Sequence, residues 1–434
     1  MQYYSLNKRS AKVNFRDAAI TGQAPDKGLY FPEKIPTLSA DFFKQLKSKS
    51  KAQIAFEVIK PYIGDTIKEE DLFNICAETV NFDFPLKKIN DNTSSLELFH
   101  GPTLAFKDVG ARFMSRCLGY FSKGSDKQVT VLVATSGDTG SAVANGFLDV
   151  KGVNVVILYP SGKVSKIQEL QLTTLGKNIT ALEIQGTFDD CQALVKQAFT
   201  DEELNKRLSL TSANSINVAR WLPQQFYYFY ALQQWNHETP PVISVPSGNF
   251  GNICAGLLAY VSGAPIKHFV AACNSNDIFS NYILNNVVTP KTAVPTISNA
   301  MDVGNPSNFV RMLELFAHDH KRIKDLISNC SVSDELTAET IAEVYKTFNY
   351  LLEPHGAVAY YGLQQYLKNN PNDKGIILET AHPVKFGDVV EKIIKQPVAI
   401  PESMKYLLKL DKKSIVIQPK FDVLKELLID SFII

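Results

Sequence analysis

The chain has little that would commit it to a membrane, a nucleic acid or a metal. Its 434 residues contain no apolar run near the ~18 residues that a membrane-spanning helix needs. Met1-Gln2-Tyr3-Tyr4-Ser5 lacks the apolar stretch of a secretory signal. Charge of one sign is missing too: 45 Lys+Arg stand against 44 Asp+Glu, so no global field draws the protein to nucleic acid or anionic lipid. Small anions stay possible, because they need only a local site. The six cysteines (Cys76, Cys117, Cys191, Cys254, Cys273 and Cys330) form no CxxC pair and have no histidine cluster nearby. That pattern predicts reduced thiols packed as small apolar groups, with neither a disulfide framework nor a metal site. His318 and His320 stand two apart in a helical pattern, a spacing that sends their rings to different sides. The expectation is a cytoplasmic protein whose partner is a small molecule, with no nucleic acid and no membrane.

What is present is ordinary globular material, 45% hydrophobic and 21% charged. The length exceeds one compact core and predicts two or three domains. Residues 1–95 read as mixed and largely helical, with an extended piece at Gly28–Pro32 closed by its proline. Beyond them, short β-branched runs alternate with helical patterns: Val129–Ala134, Val153–Tyr159, Val242–Val245, His268–Ala272 and Gly375–Leu378. Runs that are apolar on both faces and separated by helices predict an α/β protein with parallel sheets covered on both sides. Residues 301–350 read as helical and charged, with Arg311, Glu314, Lys321, Arg322 and Lys324 around an apolar stripe. After residue 387 the chain is lysine-rich and amphipathic, ending in a helix near Val423–Phe432.

Against that background one segment carries chemistry, Glu97–Asp108. It sets Lys107 between the Phe106 ring and the Asp108 carboxylate, just after the Gly101-Pro102 break. A lysine shielded from water loses preference for its charged form and becomes a nucleophile and base, which a Schiff base with a carbonyl cofactor requires. Two strand–loop–helix units accompany it. In one, Val129–Ala134 leads through Thr135-Ser136-Gly137-Asp138-Thr139-Gly140 into a helical stretch. In the other, Val242–Val245 leads through Gly248-Asn249-Phe250-Gly251-Asn252. Such loops offer backbone N–H groups and the positive end of a helix dipole to a phosphate or carboxylate. Neither has the dinucleotide fingerprint or the Walker lysine, which disfavours NAD and ATP. A third cluster, Ser212-Ala213-Asn214-Ser215-Ile216-Asn217-Val218-Ala219-Arg220, combines neutral hydrogen-bonding groups with an arginine suited to a phosphate. Thr380-Ala381-His382-Pro383 follows a strand directly, where ligands gather in open α/β sheets. His382 there reads as a packing residue.

Taken together, His100–Thr103, Phe106–Asp108, Ala134–Gly140, Asn214–Arg220, Gly248–Asn252 and Thr380–Pro383 resemble the threonine synthase family of fold-type-II (tryptophan synthase β-like) pyridoxal phosphate enzymes. The resemblance covers nearly the whole chain. It implies two open parallel-sheet α/β domains behind an N-terminal extension. The extension would be residues 1–95, and the large cofactor-binding domain 96–110 with 216–386. The small mobile domain would be 111–215, and 387–434 a C-terminal helical segment. It further implies that Lys107 holds pyridoxal 5'-phosphate as a Schiff base and that Gly248, Asn249, Phe250, Gly251 and Asn252 cradle its phosphate. Thr380 is then the hydroxyl beside the ring nitrogen, a neutral partner that does not force that nitrogen to be protonated. Asp138 takes a ring-contacting position that is asparagine in many relatives of the fold. Thr135, Ser136 and Thr139 match the grip on a substrate α-carboxylate, and Asn214, Ser215 and Arg220 the site for a substrate phosphate. The implied reaction turns O-phospho-L-homoserine and water into L-threonine and phosphate, the last step of threonine biosynthesis. The alternative is a serine or threonine dehydratase of the same fold, which has no use for a phosphate clamp at Asn214–Arg220. A homo-oligomer is possible and not required.

Overall fold

Two sheets account for the β-branched runs in a computed structural model that describes residues 1–123 and 128–432. The larger has six strands in the spatial order Ile327–Ser331, His268–Cys273, Val242–Pro246, Gly375–Glu379, Thr93–Glu97 and Leu86–Lys88. All neighbours are parallel except the last pair. The smaller has five parallel strands in the order Ile415–Ile417, Ile179–Ile184, Val153–Pro160, Val129–Ala134 and Ser209–Thr211. Val242–Pro246, Gly375–Glu379 and Val129–Ala134 are buried along their whole length. Central parallel strands covered on both faces require that continuity.

Three adjacent strands of the larger sheet position the site. Gly375–Glu379 pairs with Val242–Pro246 on one side and with Thr93–Glu97 on the other, Glu379 opposite Glu97. From their carboxyl ends run the Gly248–Asn252 loop, Thr380 and the loop leading to Lys107. Antiparallel bridging of Ala105 to Ala381, with Phe106 N–H on the Thr380 carbonyl at 2.8 Å, ties the last two together. The extended Gly28–Pro32 piece contributes a strand at Tyr30–Pro32, paired with Tyr3–Ser5.

Several expectations are corrected. Residues 301–350 are not uniformly helical: Ile327–Ser331 is an edge strand between helices His320–Leu326 and Asp334–Phe348. Its sequence ISNCS is mostly polar, as an edge with one neighbour tolerates, so no β-branched run marked it. Arg311 is fully buried and not a member of a charged surface. His318 and His320 do not share a helix: His318 has φ +60° after helix Phe309–Leu315, and Asp319 caps the next one. The C-terminal segment holds the edge strand Ile415–Ile417 as well as helices.

That C-terminal strand extends the smaller sheet beside Ile179–Ile184, and helix Phe421–Phe432 packs nearby, Leu424 and Leu428 joining Leu182, Ile184 and Leu194 in an apolar cluster. A chain ending at Leu410 should therefore be cut rapidly by protease within 128–215, while 242–379 stays protected. Unchanged resistance in 128–215 would contradict this packing.

Candidate active site

Lys107 is the first residue of helix Lys107–Phe121. There the positive end of the helix dipole opposes an ammonium. The preceding loop is closed by Asp108, whose carboxylate accepts from the Thr103 N–H at 2.9 Å and the Thr103 hydroxyl at 2.5 Å. Gly101 is required for that closure, since a Cβ there would lie 2.5 Å from Asp108 Oδ2. Asp108 is thus a loop clamp, and the carboxylate that approaches Lys107 is Asp138, 3.8 Å from Nζ. Phe106 does lie against the amine, its ring centroid 5.2 Å away. Burial lowers the Lys107 pKa; Asp138 opposes the shift, and Lys385 and Arg220 reinforce it.

Lys385 is a residue that the sequence reading passed over. It is completely buried, its Nζ 2.8 Å from Asp138 Oδ1 and 2.8 Å from the Thr103 carbonyl. Gln168 donates to the same Asp138 oxygen at 2.9 Å. Burial alone would raise the Asp138 pKa; Lys385 and Lys107 override it and hold the carboxyl well below the usual range. The only signal for Lys385 was its place soon after a strand end, and a Pro-Val-Lys-Phe run reads equally well as surface. His382 packs edge-on against Phe99, and its Nδ1 caps the Val384 N–H at 3.1 Å.

The two small-residue loops differ in what they offer. In the first, Thr135 Oγ1 already accepts from the N–H groups of Gly137 and Gly140, at 2.9 and 2.8 Å. Asp138 and Thr139 open helix Asp138–Phe147, so their N–H groups have no intrahelical acceptor. Gly137 has φ +136°, and a Cβ there would meet Gln168 at 2.5 Å. In the second loop Phe250 takes a left-handed conformation, φ 59°, that turns the chain into helix Gly251–Val261. Its ring anchors the turn against Phe279 and Phe309. Gly248 lies so close to Met301 that a Cβ would be 2.5 Å from its Cα. Asn252 Oδ1 accepts from the Tyr228 hydroxyl, and among the described residues Nδ2 is buried without an acceptor. Orphaned donors at a helix start, in a cradle that side chains would fill, fit the phosphate of a cofactor.

The Asn214–Arg220 cluster is divided by the fold. Ser215 Oγ accepts from Asn249 Nδ2 and Asn308 Nδ2, both at 3.0 Å, and so belongs with the glycine cradle. Asn214 lies half-buried beside it. Asn217 is structural, capping Ala219 and bonding the Ala19 carbonyl. Arg220 is buried against Gly110 in the Lys107 helix. Among the described residues its guanidinium bonds only the Ala213 carbonyl, through Nη1. Arg311, unforeseen, holds this segment in shape: it donates to the Ser215, Ile216 and Tyr30 carbonyls and stacks 4.4 Å from the Trp221 ring. Burial without a carboxylate partner lowers its pKa to about 9. Thr380 completes the set, its hydroxyl donating to Glu353 Oε1 at 3.1 Å.

A lysine with a depressed pKa, a phosphate cradle and a hydroxyl, all at the carboxyl edge of a parallel sheet, define a pyridoxal phosphate-dependent enzyme of fold type II. Residues 95–378 match the family model described as pyridoxal-phosphate dependent enzyme. Residues 2–80 match the threonine synthase N terminus and residues 356–428 the threonine synthase C-terminal model. The chain is 44% identical to threonine synthase from Escherichia coli, over 93% of its length and 94% of that protein. The Saccharomyces cerevisiae enzyme is 35% identical over 95% of the chain and 94% of that protein. Among solved structures, E. coli threonine synthase superposes with TM-score 0.92 at 42% identity, covering 99% of this chain and 100% of that one. The pyridoxal phosphate-bound Brucella melitensis enzyme gives 0.92 at 33%, covering 98% of each chain. The chain belongs to the threonine synthase family and is a pyridoxal phosphate-dependent lyase. Among the described residues no helix is long and apolar enough to cross a membrane.

Lys385→Met removes a cation that repels the Lys107 ammonium and frees the Asp138 charge to attract it. Both effects raise the Lys107 pKa, so its amine is free only at higher pH. The pH midpoint for cofactor capture, followed by absorbance, should rise by about one unit. The depressed Asp138 pKa stabilises the fold above the usual carboxylate range and loses that contribution as pH falls through it. The variant should therefore lose less stability on acidification than the parent. A fixed or lowered capture midpoint would contradict the pairing.

Proposed function

We propose that the chain converts O-phospho-L-homoserine and water into L-threonine and phosphate in the cytoplasm, with Lys107 as its proton-carrying base. The observation that carries this reading is a buried arginine packed against the Lys107 helix, which supports a second anion site there. Among the described residues Arg220 uses little of its donor capacity, and it lies apart from the cradle at Gly248–Asn252. A lyase acting on an unphosphorylated amino acid needs no such group.

Pyridoxal phosphate passed from Lys107 to the substrate amine would supply the electron sink that lets a proton leave Cα, and its release frees Lys107 Nζ as a base. Gly248, Asn249, Phe250, Gly251 and Asn252 hold its phosphate through backbone N–H groups and Asn252 Nδ2, while Thr380 and Asp138 meet its ring. Thr135, Ser136 and Thr139 hold the substrate α-carboxylate at the start of helix Asp138–Phe147, and Asn214, Ser215 and Arg220 hold the substrate phosphate. Lys107 Nζ takes the Cα proton, and a Cβ proton follows as phosphate departs from Cγ. Arg220 stabilises the charge gathering on the leaving group. A proton is then delivered to Cγ, which becomes the methyl group; water adds its hydroxyl at Cβ and gives up a proton, and Nζ returns a proton to Cα. Residues 111–215 act as the small mobile domain against 96–110 and 216–386, with 1–95 packed on the large domain and 387–434 as the C-terminal segment. Its closure keeps water out until the addition step.

Purified protein should release phosphate and form threonine from O-phosphohomoserine, and give no comparable flux of oxo acid from serine or threonine. Oxo acid formation with O-phosphohomoserine left untouched would overturn the reading. Arg220→Ala should raise KM for O-phosphohomoserine by about 10- to 100-fold, the worth of one charge-assisted hydrogen bond, with cofactor absorbance retained. Lost absorbance would assign Arg220 to the cofactor or the fold instead.

A further inference from the structure

Behind Thr380 lies a buried acid cluster that the reaction as described does not use. Glu353 and Glu379 are both fully buried. Glu353 receives four hydrogen bonds. Its Oε1 accepts from the Gly356 N–H at 3.1 Å and the Thr380 hydroxyl at 3.1 Å. Its Oε2 accepts from the His355 N–H at 2.8 Å and faces His355 Nδ1 at 2.5 Å. The ring tautomer follows from the other nitrogen. His355 Nε2 accepts from the Ala300 N–H at 3.1 Å, so it carries no proton and Nδ1 is the donor. A carboxylate surrounded by four donors has no acceptor left for a proton of its own.

The adjacent carboxyl is the protonated member of the pair. Glu379 Oε1 accepts from the Glu353 N–H at 2.7 Å, while Oε2 is buried with no partner. It rests on Gly356, where a Cβ would sit 1.5 Å away. Burial and the Glu353 charge push the Glu379 pKa well up. One negative charge therefore stays on Glu353. Its ion-pair contact among the described residues is His355, neutral by its hydrogen bonds; no lysine or arginine there is within ion-pair distance, and Lys107 feels its charge only from farther off. An unbalanced buried charge of this kind calls for a cation close by.

Thr380 is the group placed to transmit that demand. Its proton is committed to Glu353, so toward the site its oxygen can only accept. We propose that Glu353, acting through the Thr380 hydroxyl, keeps the cofactor's ring nitrogen protonated. This rests on the proposed function in placing Thr380 at that nitrogen, and it reverses the neutral-partner expectation that a threonine alone carries. Glu353 is a positioning residue here: it orients the hydroxyl as an acceptor and supplies the counter-charge. The protonated nitrogen withdraws more electron density from the substrate, which suits a reaction that must remove protons from both Cα and Cβ.

The test is nitrogen NMR of the holoenzyme carrying pyridoxal phosphate isotope-labelled at its ring nitrogen, which needs no turnover. The parent protein should give a pyridinium signal. Glu353→Gln and Thr380→Val should move it to the range of neutral pyridine, and Thr380→Ser should restore it. Thr380→Val leaves the other three Glu353 donors, from His355 and Gly356, in place, so it answers the question even where Glu353→Gln fails to fold. A neutral signal in the parent, or a pyridinium signal that survives Thr380→Val, would overturn the proposal. Phosphate release from O-phosphohomoserine, assayed on the same samples, reports separately on the proposed function.

Discussion

Asp138 lies between two lysines, 2.8 Å from Lys385 and 3.8 Å from Lys107, in a place from which water is largely excluded. None of the three groups would tolerate that burial alone. Lys385 takes the role of permanent counter-ion, fixed by Asp138 and the Thr103 carbonyl. Lys107 is thereby left without a close partner, and its position at a helix start further disfavours its charge. On the proposed function this makes one amine reactive beside one held fixed, a distinction made by hydrogen bonding and not by residue type.

The rest of the molecule serves to bring that triad to the edge of a sheet. Three adjacent strands end at the cradle, at Thr380 and at the Lys107 loop, so the register of the sheet sets the spacing of the parts. Asp138 arrives from the other sheet, on the helix that follows Val129–Ala134. The Asp138–Lys385 pair is therefore a link between the two sheets as well as an electrostatic device. Arg311 does similar work out of view, gathering the Ser215, Ile216 and Tyr30 carbonyls so that the Ser215 hydroxyl faces the cradle.

Much of this was legible in the sequence wherever a local pattern sufficed. The strands Val129–Ala134 and Val242–Pro246 announced themselves by continuous apolar runs, and the loops after them by glycine. Lys107 stood out through its neighbours, although the neighbour that counts is Asp138, thirty-one positions on, and not Asp108. What stayed hidden depends on long-range contacts. Lys385 and Glu353 look like surface charges in the linear sequence, because nothing local records that a carboxylate or a hydroxyl meets them. Arg311 was misplaced for the same reason: a charged residue on an apolar helix reads as solvent-facing until its carbonyl partners are known. The edge strand Ile327–Ser331 lacked any β-branched run because an edge does not need one.

The central claim is that Lys107, and not the more deeply buried Lys385, carries the cofactor. Borohydride reduction of the holoenzyme fixes pyridoxal phosphate to whichever lysine holds it, and peptide mass spectrometry then locates the label. The account predicts a single modified peptide containing Lys107. A label on Lys385 would contradict it, because that amine would then have to leave Asp138 and Thr103 to do the chemistry.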